Sequence, residues 1–193
     1  MAAQIFTGTE HFRSGASKVT KDTPEPYKKV QSWLQVSYQN ETYHKVSPKF
    51  TLGAYLEAYY SSRNFSNNYT ATLMQAGEFT PTAHSKVTYN EAFRANQYAG
   101  VGAIPIYQLS ESFQLRGEFY GFIPIFPIKK DEYGQAYYGK AFTKFEYLGE
   151  ISLVFQLSFG SISAYVNHYS SPSNDWNVGL TLGWQLFNSR FIE

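Results

Sequence analysis

Alternation is the feature that most constrains this chain. Trp176, Val178, Leu180, Leu182, Trp184 and Leu186 alternate with Asn177, Gly179, Thr181, Gly183 and Gln185 over eleven residues. Successive side chains of a strand point to opposite faces, so a sustained period of two predicts strand and argues against helix. The pattern recurs upstream. Ile162, Ala164 and Val166 alternate with Ser163, Tyr165 and Asn167. Phe145, Tyr147, Gly149, Ile151, Leu153, Phe155 and Leu157 oppose Lys144, Glu146, Glu150, Ser152 and Gln156. Phe113, Leu115, Phe119, Ile123 and Ile125 oppose Gln114, Arg116, Glu118 and Tyr120. Phe50, Leu52, Ala54, Leu56 and Ala58 oppose Thr51, Tyr55, Glu57 and Tyr59.

Two segments read less cleanly. Residues 31–43 give a weaker alternation through Leu34, Val36 and Tyr38. Residues 93–109 read as a strand with ambiguous faces, because Ala99, Val101 and Ala103 compete with Tyr98, Ile104 and Ile106. Pro105 there predicts a bulge or a strand end. The expectation is seven strands, with Gln4-Ile5-Phe6 as the stub of an eighth. Short connections at 45–48, 110–112 and 158–160 alternate with long or polar ones at 7–30, 61–92, 129–141 and 170–175. That places tight turns at one end of an antiparallel sheet and long loops at the other. The expected organisation is one β segment over 1–193: a stub and outer loop at 1–30, then antiparallel strands with a long outer loop at 61–92. Within that loop, residues 70–76 are expected to form a short helix.

The composition fits a sheet that crosses a membrane. Tyr, Phe and Trp make up 19% of the 193 residues, while mean hydropathy is only -0.37. A membrane-spanning strand needs apolar residues only on the alternate positions that face lipid. No run of 18 apolar residues exists to make a membrane helix, and Met1-Ala-Ala-Gln-Ile-Phe lacks the basic and apolar regions of a signal peptide. Strands of twelve or more residues exceed those of ordinary soluble sheets and are long enough to cross at a tilt. The fold expected is therefore all-β, an antiparallel up-and-down transmembrane β-barrel segment of seven to eight strands. Glu57, Arg116, Glu118, Lys144, Glu146 and Glu150 are expected to face its lumen and to form a cross-strand network of opposite charges. Tyr59, Tyr60, Trp176, Trp184 and Phe187 are expected as aromatics of the membrane interface. The competing reading is a soluble β-sandwich binding module, in which the same charges form a solvent face.

Several chemistries are excluded or unsupported. Cys is absent, so there is no disulfide framework, thiolate metal site or Cys nucleophile. Sixteen basic and fifteen acidic residues leave a charge of +1, which gives no reason to expect a nucleic-acid partner. Gly100-Val-Gly102-Ala-Ile-Pro105 starts like a dinucleotide fingerprint, but Pro105 stands in the third glycine position and no helical pattern follows. His11, His44, His84 and His168 lack metal-ligand spacing. No cofactor, metal or catalytic residue is predicted.

Four segments together point to a family. Phe93-Arg-Ala-Asn-Gln-Tyr98, Leu115-Arg-Gly-Glu-Phe-Tyr120, Phe159-Gly-Ser-Ile-Ser-Ala-Tyr165 and Asn188-Ser-Arg-Phe-Ile-Glu193 resemble the C-terminal barrel region of Bacteroidetes-type patatin-like phospholipases. The resemblance runs from about residue 10 onward. It implies the second half of a sixteen-stranded barrel of the surface-antigen and outer-membrane assembly type, in the bacterial outer membrane. It also implies partners: outer-membrane lipid, the barrel assembly machinery during insertion, and an upstream patatin domain in cis. By this resemblance the chain is an anchor or translocation unit and is incomplete by itself. The patatin Gly-x-Ser-x-Gly elbow has no counterpart here. Gly15-Ala-Ser17-Lys-Val19 lacks the second glycine, so no catalytic residue is carried over. The alternative within the membrane class is a stand-alone porin- or adhesin-like barrel.

Overall fold

The computed structural model describes residues 1–13, 28–66, 68–171 and 176–184. The alternating runs become strands. In chain order the elements are β1 (Ala2–Arg13), β2 (Lys28–Lys45), β3 (Phe50–Ser61), α1 (Tyr69–Gln75), β4 (Gly77–Glu78), β5 (Arg94–Ala95), β6 (Gln97–Gln108), β7 (Phe113–Pro124), β8 (Ile128–Lys130), β9 (Ala136–Tyr138), β10 (Glu146–Leu157), β11 (Gly160–Tyr169) and β12 (Trp176–Trp184). Eight of them form one antiparallel sheet in the order β1-β2-β3-β6-β7-β10-β11-β12. Each long strand pairs with the next one along the chain, which is the topology of a meander. Two small pairs, β4-β5 and β8-β9, stand apart from it.

The N-terminal stub proves to be a full strand. β1 pairs with β2 from Ala2↔Gln39 to Arg13↔Lys28, so residues 7–13 belong to the sheet. Thr7-Gly8-Thr9-Glu10 has no apolar alternation to announce a strand. Backbone hydrogen bonding to β2 holds it, and every non-proline residue can contribute to that regardless of side chain. β2 is correspondingly longer than the 31–43 predicted.

The tight turns fall at one end, as expected. Two of them use the same device. The Ser47 hydroxyl accepts from Phe50 N at 3.1 Å, and the Ser110 hydroxyl accepts from Phe113 N at 3.2 Å. Each serine satisfies the first amide of the returning strand. Pro105 lies inside β6 and makes no bulge. The β6–β7 ladder is interrupted between Ala103↔Phe119 and Ile106↔Arg116, and the register is the same on both sides. A residue without an N–H removes a rung without shifting the strand.

The two faces of the sheet differ completely. On one face lie Leu52, Leu56, Tyr60, Val101, Tyr107, Phe113, Leu115, Phe119, Tyr147, Ile151, Leu153, Ile162, Val178, Leu180 and Leu182, all exposed. Registers such as Leu56↔Val101, Leu115↔Leu153 and Ala164↔Leu180 place these residues side by side across neighbouring strands. The ambiguity in β6 resolves here, with Ala99, Val101 and Ala103 on this bare face. The opposite face carries Tyr55, Tyr59, Tyr98, Ile104, Tyr120, Phe122, Leu148 and Tyr169, all buried. It is covered by the segment from Ser62 to Asn96, which contains α1, β4 and β5.

That segment has its own architecture. Asn68 caps α1 by accepting from Ala71 N at 2.7 Å, the position where its side chain satisfies a first-turn amide. Thr72 and Leu73 of α1 are buried. Leu73, Ala76 and Ile128 form one cluster, while Phe79, Ala92, Phe93 and Ala95 join the sheet residues in the larger one. The predicted helix at 70–76 is present, shifted by one residue.

Candidate functional site

The covered face is built around a single ring. Phe79 meets Tyr55 at 6.2 Å, Phe93 at 6.5 Å, Tyr98 at 6.0 Å, Tyr120 at 6.4 Å and Phe122 at 5.4 Å between centroids. Most of these contacts are edge-on or offset, the arrangements that ring quadrupoles favour. Two glycines of β6 make room. A Cβ on Gly100 would stand 2.1 Å from Phe79, and one on Gly102 would stand 2.2 Å from Tyr120. Both rings lie flat on strand backbone that any larger residue would fill. The pair that resembled a dinucleotide motif is thus a seat for two aromatic rings.

The six charged residues expected on the inward face do share the covered side, but they do not form a cross-strand ionic network. Arg116 Nε donates to Glu118 Oε1 at 2.5 Å on its own strand. Lys144 lies 3.4 Å from Glu146, again two residues away. Residues i and i+2 of an extended chain share a face, which favours the local pair. Across the β7–β10 ladder Glu118 stands directly opposite Glu150, a like-charge pair. Each acid turns to a different partner. Glu118 also accepts from the Tyr120 hydroxyl at 2.8 Å, and Arg116 reaches across to the Tyr43 hydroxyl at 3.3 Å. Among the described residues Glu57 meets no cation; it accepts from Tyr98 at 2.6 Å and from Tyr55. Glu146 accepts from Ser170 as well. Phenols therefore do much of the work assigned to cations.

Glu150 is held by a residue that sequence reasoning left as a scattered loop histidine. His84 Nδ1 donates to Glu150 Oε2 at 2.8 Å, and Nε2 lies 2.5 Å from the Thr181 hydroxyl. A carboxylate only accepts, so Nδ1 carries a proton. The imidazole stacks on Tyr165 at 3.5 Å. One side chain of the 62–96 segment thus grips β10, β11 and β12. Glu150 is the fifth residue of β10, about 13 Å in from the loop end of the strand. Asn90 adds a bond to Ser171 O at 2.7 Å, and Lys144 reaches Ala92 O at 3.4 Å. The length of the 61–92 connection, too great for a plain connector, and the helix expected at 70–76 signalled structure there, but neither pointed to His84.

Arg94 anchors the far side. It lies 2.7 Å from Glu78, donates to Leu73 O at 3.2 Å and stacks over Tyr89 at 4.7 Å. Burial pushes the Tyr69 and Tyr89 phenols above their usual range, and Glu91 adds to both shifts. Beside this segment is a groove of about 400 Å³, lined by Gln4, Gln35, Gln39, Glu57, Tyr59 and Glu78 among others.

The interface aromatics divide. Tyr60 and Trp176 are exposed on the bare face. Tyr59 is not an interface residue. It is buried on the covered face and stacks on Tyr98 at 5.1 Å, because its odd position in β3 points it inward. The Trp184 side chain and Phe187 lie outside the described residues, as do the Gly15–Val19 segment and the C-terminal segment Asn188–Glu193 of the family resemblance. Among the described residues no cluster of metal-ligating side chains forms. No helix is long and apolar enough to cross a membrane, which does not bear on strands. Comparison with family models, with curated proteins and with solved structures returns no match.

Proposed function

We propose that this chain is the wall of a bacterial outer-membrane β-barrel whose interior is occluded by residues 62–96, and that it anchors a patatin-like phospholipase. One observation carries the membrane part of the reading: an eight-stranded sheet whose apolar face, continuous from β3 through β12, is left bare while a polar, aromatic face is covered. A soluble sandwich would bury the apolar face against a second sheet, whereas a bilayer requires it outward. The bare face is too large and continuous for an ordinary water-exposed surface. The hydrolase and the outer-membrane address rest on the sequence resemblance. In this reading the chain holds no catalytic residue, and its partners are outer-membrane lipid, the insertion machinery and a patatin domain in cis.

The full length of β1 favours one second reading. Eight strands are an even number, as a stand-alone porin- or adhesin-like barrel requires. Against closure on itself, an eight-stranded barrel has an interior just wide enough for its own side chains, and here a segment with a helix and a small sheet occupies that side. Among the described residues no ladder joins β1 to β12.

An immunoblot of outer membranes with an antibody to residues 61–92 tests the assignment, together with mobility before and after boiling. A heat-shifted band far above 22.0 kDa supports the anchored hydrolase. A heat-shifted band at the chain's own mass sinks the anchor in favour of the stand-alone barrel. Recovery in the soluble fraction without detergent sinks both.

A further inference from the structure

The hairpin between β7 and β10 carries a surface that anchoring through strands leaves unused. Here the β7–β10 pairing continues beyond the sheet. Phe142 N donates to Ile125 O at 2.9 Å and Gly139 N to Pro127 O at 2.8 Å. β8 and β9 then pair from Ile128↔Tyr138 to Lys130↔Ala136. Moving outward from the bare face, Tyr147 comes first and Phe145 next. Phe145 lies over the bare-face position Gly121 and is 60% exposed. Phe142 follows, 69% exposed. Among the described residues Phe142 is the one non-glycine residue with positive φ, at 54°. A β-carbon makes that conformation unfavourable, and here it presents an unburied ring.

The same hairpin carries cations. Lys129, Lys130 and Lys140 are exposed, and among the described residues none of them enters an ion pair. Asp131 spends its carboxylate inside the turn, accepting from Tyr133 N at 2.9 Å and Gln135 N at 2.7 Å. Glu132 is the remaining acid of the hairpin. Exposed rings and unpaired ammonium groups intermingle on this hairpin, with Tyr137 directly opposite Lys129 and Tyr133 at the tip, a combination that a lipid interface favours, since aromatics settle at the headgroup boundary and lysines extend to phosphates.

We propose that this hairpin binds the anionic headgroups of the adjoining leaflet, with Phe142 and Phe145 at the interface and Lys129, Lys130 and Lys140 on the phosphates. The inference rests on the membrane reading above and adds to it a lipid preference. The test uses the chain's lack of cysteine. A donor dye is placed on Tyr133→Cys, at the exposed hairpin tip. The full-length protein is then inserted into phosphatidylcholine vesicles doped with acyl-labelled phosphatidylglycerol or, separately, acyl-labelled phosphatidylcholine. Energy transfer to the anionic lipid is expected to exceed that to the neutral one by about fivefold or more, given the attraction of each lysine near a charged surface. The excess is expected to fade in high salt, to vanish in K129Q/K130Q/K140Q and to invert in K129E/K130E/K140E. Equal transfer in the unsubstituted hairpin overturns the proposal and leaves the membrane reading standing, as does a preference that survives neutralisation. Failure to enter vesicles at all overturns the membrane reading and this proposal with it.

Discussion

On β3, Leu52, Leu56 and Tyr60 stand bare while Tyr55 and Tyr59, in the same strand, are buried beneath a long loop. The bare face uses few residue types and repeats them from β3 through β12. The covered face mixes tyrosine, glutamate, glycine and arginine, and each meets a different neighbour. Such a difference follows from what each face has to match. A featureless apolar medium asks only for apolar side chains, whereas a folded segment asks for shape and for a partner at each polar atom.

The sharpest way to break that comparison is to empty the centre of the covered face. Phe79→Ala removes the ring that five others touch and is expected to destabilise the folded protein by about 3–5 kcal/mol. Urea unfolding of the refolded protein reads this, and a loss under about 1 kcal/mol would mean the loop does not pack on the sheet. The bare face should respond to charge instead. Leu56→Arg is expected to cost about 2–4 kcal/mol in lipid vesicles, because its site lies mid-strand. In a face that meets only water the same change would cost almost nothing, so the contrast separates the two environments.

Smaller effects sharpen the polar side. His84→Ala leaves the buried Glu150 carboxylate without its main donor and is expected to cost about 1–3 kcal/mol. Residues 62–96 should then become more open to limited proteolysis, and an unchanged digestion pattern would deny His84 its gripping role. Tyr43→Phe removes the acceptor that Arg116 reaches and a donor to Glu41. About 0.5–1.5 kcal/mol is expected, the net worth of an ordinary hydrogen bond. A larger loss would make the Arg116 cluster a cooperative unit.

These faces were unequally legible in the chain itself. The bare face announces itself through period-two runs such as Trp176 to Leu182, because successive side chains of a strand alternate between the two faces. The local pairs Arg116–Glu118 and Lys144–Glu146 follow from spacing, although a cross-strand network was the expectation. β1 escaped because its membership depends on hydrogen bonding to β2, which leaves no trace in Thr7-Gly8-Thr9. Tyr59 was misplaced since a tyrosine at a strand end fits an interface as readily as an interior. Phe79 and His84 belong to no period at all. Their positions are decided by residues far along the chain, and a single sequence does not display those pairings.

His84 also bears on the order of assembly. Every long ladder joins strands adjacent along the chain, so the sheet can grow hairpin by hairpin from contacts of modest separation. The histidine's own partners lie 66 and 97 positions further on, and loop-closure entropy delays such contacts. The segment that fills the covered face is therefore made before its last docking sites exist. The bond to Thr181 forms only when β12 has been laid down, so the full set of His84 contacts marks a completed sheet.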